Sequence, residues 1–122
     1  MKNKKIMIVE DDRFLLKAYE IKFQQLNFDV VVAMNGNEGL KLAEKEVPSL
    51  ILLDLMLPKM NGFEFLKKIK SDERLKEIPI IAVSNLGQKS DKDKALSLGA
   101  KEYLIKTDFT LEEIGEKIKK YI

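Results

Sequence analysis

Acidic, hydroxyl and ammonium side chains stand at the ends of four apolar runs in this chain. Glu10, Asp11 and Asp12 follow Ile6-Met-Ile-Val9, and Asp54 follows Leu50-Ile-Leu-Leu53. Ser84 closes Ile78-Pro-Ile-Ile-Ala-Val83, and Lys106 follows Tyr103-Leu-Ile105. If these runs are strands of one parallel sheet, the polar groups converge on a single edge. Carboxylates pooled there repel one another and need a cation. The chain has no histidine and no cysteine, so the ligands are hard oxygens. Such a set selects Mg²⁺, which takes one or two carboxylates and keeps waters for a phosphate ligand. Ser84 can donate a hydrogen bond to a phosphoryl oxygen, and Lys106 can ion-pair with one. An ionised carboxylate is itself a recognised covalent acceptor. The set meets the needs of phosphoryl transfer, where positioning and charge neutralisation do nearly all the work.

Taken singly, each residue has a plainer reading. The Glu10-Asp11-Asp12 triplet suits the cap and first turn of a helix, and Asp12 is expected to act there. A strand-end Asp is often a turn residue, and Ser after a strand is usually an ST-turn. Lys106 is one of 20 lysines, and Tyr103 reads as a half-buried strand aromatic. Asp54 is harder to dismiss, because an unpaired carboxylate directly after a buried run is costly. Joint placement is what sets the chemical reading above the plain one.

The elements that must position these groups are legible in the hydrophobic pattern. The apolar runs at Ile6–Val9, Val30–Ala33, Leu50–Leu53 and Ile78–Val83, with a weaker one at Tyr103–Ile105, lack alternation. Continuous runs of this kind suit strands buried on both faces. Helical stripes lie between them: Leu15, Ala18, Tyr19, Phe23 and Leu26; Leu66 and Ile69; Leu111, Ile114, Ile118 and Tyr121. Asn35 to Glu46 and Ser90 to Leu98 read as two more helices, the second ended by Gly99. Thr110 with Glu113 forms a capping-box pattern before the last helix. Five strands alternating with five helices predict a doubly wound α/β fold with a five-stranded parallel sheet. In such sheets, sites form beyond the carboxyl ends of the strands at a topological switch point.

Composition narrows the class further. The chain has 122 residues, 45% of them apolar and 34% charged, which suits one soluble domain. The net charge is +2, and Arg13 and Arg74 are the only arginines. Nucleic-acid readers cluster their basic residues and rely on Arg for base contacts; here lysines and glutamates are interspersed on helices. Direct nucleic-acid binding is therefore not expected. The basic N-terminal stretch Met1-Lys-Asn-Lys-Lys5 leads into too short an apolar run for a signal peptide or membrane span. The expected location is the cytoplasm. No linker, repeat or low-complexity stretch divides residues 1–122, which read as one domain.

The four motifs together resemble the receiver domains of two-component response regulators, across essentially the whole chain. Ile8-Val-Glu-Asp-Asp12 is similar to the acidic motif of that family, and Leu53-Asp-Leu-Met-Leu-Pro-Lys-Met-Asn-Gly62 to its phosphoacceptor loop. Val83-Ser84 and Tyr103-Leu-Ile-Lys106 match the remaining two signatures. The resemblance implies a flavodoxin-like strand order 2-1-3-4-5. It makes Asp54 the phosphoacceptor, Asp11 a direct Mg²⁺ ligand, Glu10 a ligand through water, and the Met56 carbonyl a further ligand. Ser84 and Lys106 would bind the phosphoryl oxygens. On phosphorylation Ser84 would move toward the phosphate and Tyr103 would turn inward, a two-state switch biased by a new dianion.

The resemblance also implies partners. The donor would be a phosphohistidine on a sensor histidine kinase or a histidine phosphotransfer protein, and an output protein would read the result. The chain would catalyse only its own phosphorylation and dephosphorylation. It would be a stand-alone receiver or part of a longer regulator, with no effector domain in these residues. Two positions depart from the family pattern. Thr107 replaces the usual proline after the lysine, which predicts a trans Lys106–Thr107 bond and a differently aimed lysine. Asn85 stands where the family prefers a small residue, which predicts altered phosphorylation and dephosphorylation rates. Three other readings are weaker. A haloacid-dehalogenase-type phosphohydrolase would need Asp where Glu10 stands. A flavodoxin would need a Ser/Thr/Gly-rich phosphate loop. A degenerate receiver that only binds partners would normally lack some of the acids.

Overall fold

A computed structural model describes residues 3–85 and 87–122; Met1 and Lys2 of the basic N-terminal stretch lie outside the described residues. Strands and helices alternate: β1 (Lys5–Val9), α1 (Arg13–Gln25), β2 (Asp29–Ala33), α2 (Gly36–Glu46), β3 (Leu50–Asp54) and α3 (Gly62–Ser71). They continue through β4 (Ile80–Ser84), α4 (Lys89–Ser97), β5 (Glu102–Ile105), a short 3₁₀ turn (Lys106–Asp108) and α5 (Leu111–Lys119). The sheet is fully parallel in the order β2-β1-β3-β4-β5, as expected. Chain order reverses between β1 and β3, and that switch point brings their carboxyl ends side by side.

Side-chain alternation along the central strands divides the core in two. Ile6, Ile8, Leu50, Leu52, Ile81 and Val83 face Leu16, Tyr19 and Phe23 of α1 and Ile114 and Ile118 of α5. Met7, Val9, Ile51, Leu53, Ile80 and Ala82 face Ala43 of α2, Phe65, Leu66 and Ile69 of α3, and Ala95 of α4. Strands β1, β3 and β4 thus have both faces covered, which is why their sequences are apolar without alternation. At about 25 cal/mol per Å² of apolar surface, this burial is the main stabilising contribution.

Element boundaries moved where backbone chemistry overrides hydropathy. β4 begins at Ile80, not at Ile78, because Pro79 has no N–H to place in a ladder. Asn35 is the N-cap of α2, its side chain accepting from the Glu38 N–H, and does not belong to the helix body. In α1 the buried stripe is Leu16, Tyr19 and Phe23, with Leu15, Ala18 and Leu26 half-buried at its flanks. Asp12 caps this helix, its carboxylate accepting from the Phe14 and Leu15 amides. The Thr110–Glu113 capping box is formed in both directions. Gly99, at φ 109°, ends the chain segment after α4 in the left-handed region that favours glycine. No helix among the described residues is long and apolar enough to cross a membrane.

Candidate functional site

Asp54 is the last residue of β3 and is 3% exposed, and Glu10, one residue past β1, is 1% exposed. Both carboxylates end central strands whose flanks are fully covered, so solvent reaches them only from the sheet edge. Asp11 is exposed beside them. One carboxylate oxygen from each of Glu10, Asp11 and Asp54 lies within 4.8 Å of the others. Ser84, at the end of β4, is buried. Backbone pairing registers Ser84 against Ile105, immediately before Lys106.

Lys106 enters this edge from β5. Its ammonium lies 2.7 Å from Glu10 Oε1 and 3.2 Å from Asp54 Oδ2. The Lys106–Thr107 bond is trans, as Thr107 predicts. Although no proline follows, the 3₁₀ turn at Lys106–Asp108 directs the side chain into the acidic site. The other Asp54 oxygen, Oδ1, accepts the Met56 backbone N–H at 2.9 Å. Glu10 is held in turn by the Asp12 N–H, at 3.2 Å from Oε2.

Two buried carboxylates therefore share one ammonium, and the site carries an excess of negative charge. Burial first, and then the adjacent Asp54 carboxylate, push Glu10 up to about 7 against the pull of Lys106. Burial disfavours the Lys106 charge, yet the hydrogen bond to Glu10 and the fields of Asp54 and Glu10 hold it above the ordinary lysine range. Tyr19, beneath the site, is driven up by its burial and by the same two acids. An all-oxygen donor set with unneutralised charge fits a hard divalent cation such as Mg²⁺ and is wrong for a soft one.

The response regulator receiver domain family model matches residues 6–119. The chain belongs to that family. This receiver domain is 34% identical over 119 residues to the polar-differentiation response regulator DivK of Brucella anthropi, covering 98% of this chain and 96% of DivK. It is 35% identical over 117 residues to the alkaline phosphatase synthesis transcriptional regulatory protein PhoP of Bacillus subtilis, covering 96% of this chain. It spans about half the length of the transcriptional regulators it matches, 48% in the case of PhoP. Among solved structures, the receiver domain of the sensor histidine kinase PA1611 from Pseudomonas aeruginosa superposes with a TM-score of 0.88. That chain is 25% identical, with 98% of this chain and 97% of that one covered. It is described with a magnesium ion coordinated in the active-site cleft.

The receiver domain thus brings Glu10, Asp11, Asp54, Ser84 and Lys106 to one sheet edge. Tyr103 on β5 stands apart, half-buried, lining a groove of about 500 Å³ with Lys89, Lys92, Ile105 and Phe109. Asn85 is exposed, next to buried Ser84. Sequence reading missed two things. One is the direct Glu10–Lys106 pair. The other is Gly62, whose N–H donates to the Leu55 carbonyl at 3.0 Å; a Cβ there would sit 2.4 Å from Leu55 Cα. Gly62 entered the sequence reading as part of the phosphoacceptor loop, without this steric role; Asn61-Gly62 before an apolar run is also an N-cap pattern, and Asn61 does cap α3.

Proposed function

We propose that Asp54 accepts a phosphoryl group from a phosphohistidine on a partner protein, with Mg²⁺ beside it, and that the adduct alters a surface read by an output protein. The observation that carries this reading is the double engagement of buried Asp54. Its two oxygens meet the Met56 amide and the Lys106 ammonium, while Glu10 and Asp11 stand within reach of a shared cation. In the transfer, a carboxylate oxygen of Asp54 forms the new O–P bond, the donor P–N bond breaks, and the departing imidazole takes up one proton. Lys106 neutralises charge on the transferred oxygens. Glu10, Asp11, Asp54 and the Met56 carbonyl would hold Mg²⁺, which supplies positive charge shared between carboxylate and phosphoryl oxygens. The magnesium described for the PA1611 receiver domain supports this assignment.

Ser84 is the hydroxyl that moves toward the adduct, and Tyr103 turns inward behind it. The donor histidine belongs to another protein, a sensor histidine kinase or a histidine phosphotransfer protein, since this chain has none. Phe14, 91% exposed, and Met56, 54% exposed, are the most exposed large apolar side chains among the described residues. They follow the two strands that carry the acids, and we assign them to donor docking. Beyond its own phosphorylation and dephosphorylation the chain turns over no substrate. Incubation with Mg²⁺ and acetyl phosphate, followed by intact mass, tests the reading. One added phosphoryl group is expected in wild type, and none without Mg²⁺ or in Asp54→Asn. No adduct in wild type would refute it and leave a receiver that acts by partner binding alone.

A further inference from the structure

A groove of about 370 Å³ separates α3 from α4, lined by Asn61, Phe63, Glu64, Lys67, Lys94 and Leu98. Phe63 and Leu98, both half-buried, supply its apolar lining. The Lys94 ammonium stands 4.4 Å from the centroid of the Phe63 ring. Among the described residues Lys67 and Lys94 make no salt bridge, and neither do the neighbouring Lys68 and Lys101; Glu64 is the carboxylate on the rim. Lys101 also repels Lys70, adding to the burial that lowers the Lys70 pKa. This side of the molecule therefore presents two unpaired lysines and one carboxylate, Glu64, around a groove in which Phe63 and Leu98 form an apolar strip.

Both walls of the groove connect to the acidic site. Helix α3 starts against the residue after Asp54, through the Gly62–Leu55 hydrogen bond and the absence of a Cβ at Gly62. Helix α4, which follows Ser84, is lightly held: Ala95 is its one buried residue, and Gln88 gives it no side-chain cap. One wall is fixed to the acceptor strand, and the other is held by a single buried side chain, Ala95.

We propose that this groove binds an acidic amphipathic helix of an output protein. An apolar side chain of that helix packs on Phe63 and Leu98, and flanking carboxylates pair with Lys67 and Lys94. Helix-in-groove docking combines an apolar anchor with flanking charge, and here Phe63 and Leu98 receive the anchor while the unpaired lysines supply the charge complementarity. A nucleic-acid duplex presents no apolar side chain to this lining, and lysine lacks the planar fork that reads bases. The binding goes beyond the phosphoacceptor reading and is measured on the unmodified chain.

A displayed library of random 16-residue peptides, selected on the full chain and counter-selected on the Lys67→Glu/Lys94→Glu variant, tests the proposal. Enrichment of acidic peptides with apolar residues at helical spacing is expected. Their affinity should fall at least tenfold in Lys94→Glu and in Phe63→Ala, with chemical-shift changes centred on α3 and α4. Circular dichroism verifies each variant's fold, and Lys94→Gln provides the same readout should Phe63→Ala unfold. Enrichment of basic peptides, binding indifferent to the Lys94 variants, or tighter capture of a DNA duplex that Lys94→Glu abolishes would overturn it. The selected peptide is then titrated against acetyl phosphate-treated protein, with intact mass recorded on the same sample. An adduct with altered affinity supports the output role, and an adduct without it overturns that role. Absence of an adduct bears on Asp54 alone.

Discussion

Lys106 and Glu10, separated by 96 positions in sequence, meet at 2.7 Å on the carboxyl edge of the sheet. The same ammonium reaches Asp54, so one cation serves two buried acids from different strands.

Removing that cation exposes the imbalance. In Lys106→Met, Glu10 and Asp54 lose their counter-charge, and breaking a buried pair in this way costs on the order of 3 kcal/mol. We expect that loss at pH 8 without divalent metal, and a smaller one at pH 5, where Glu10 carries its own proton. Chemical denaturation at the two pH values measures the difference. Equal losses at both would contradict the shared-cation account.

Glu10 itself predicts a pH dependence. Its folded-state value of about 7 lies above the ordinary 4.5, so between these values the folded chain binds the extra proton. Stability from this group is fully present below about 4.5 and is lost as pH rises through about 7. At about 1.4 kcal/mol per unit, the loss is on the order of 3 kcal/mol. Without Mg²⁺, Tm should fall across that window, and Glu10→Gln should flatten the profile. Mg²⁺ should restore stability most strongly at the high-pH end, since it binds the deprotonated carboxylates.

At Gly62 the constraint is steric. A Cβ would fall 2.4 Å from Leu55 Cα and 2.8 Å from the Asp54 carbonyl oxygen, both backbone atoms that cannot swing aside. Gly62→Ala should destabilise by about 1–3 kcal/mol or more. Because the displaced backbone adjoins Asp54, it should also slow adduct formation from acetyl phosphate. A variant of unchanged Tm and unchanged rate would show that α3 moves away without consequence.

Phe14 separates recognition from chemistry. It is 91% exposed and contributes little to the fold, so Phe14→Ala should change stability by less than about 0.5 kcal/mol. Phosphorylation by acetyl phosphate should be unaffected. Transfer from a phosphorylated histidine phosphotransfer protein should slow by roughly tenfold, the loss expected from about 1.4 kcal/mol at an apolar anchor. Equal slowing with both donors would move Phe14 from docking to site integrity.

Much of this molecule follows from local rules that operate along the chain. Uninterrupted β-branched runs require cover on both faces, so a parallel sheet with flanking helices was readable before any coordinates. Asp12 and Thr110 cap helices through contacts a few residues away, which sequence spacing captures; Asn35 and Asn61 cap in the same way, although the sequence reading placed Asn35 inside its helix and gave Asn61 no such role. The order of the motifs at Glu10, Asp54, Ser84 and Lys106 likewise followed from strand ends that a parallel sheet must align. Tertiary structure decided the rest, because those contacts join residues far apart in the chain. The aim of Lys106 depends on a 3₁₀ turn and on two acids from other strands, not on whether proline follows it. The inward place of Leu16 over Leu15 depends on how α1 seats on the sheet. The rise of Glu10 to about 7, driven by burial and by the Asp54 carboxylate against the pull of their shared ammonium, exists only once folding has removed the water that would otherwise screen these groups.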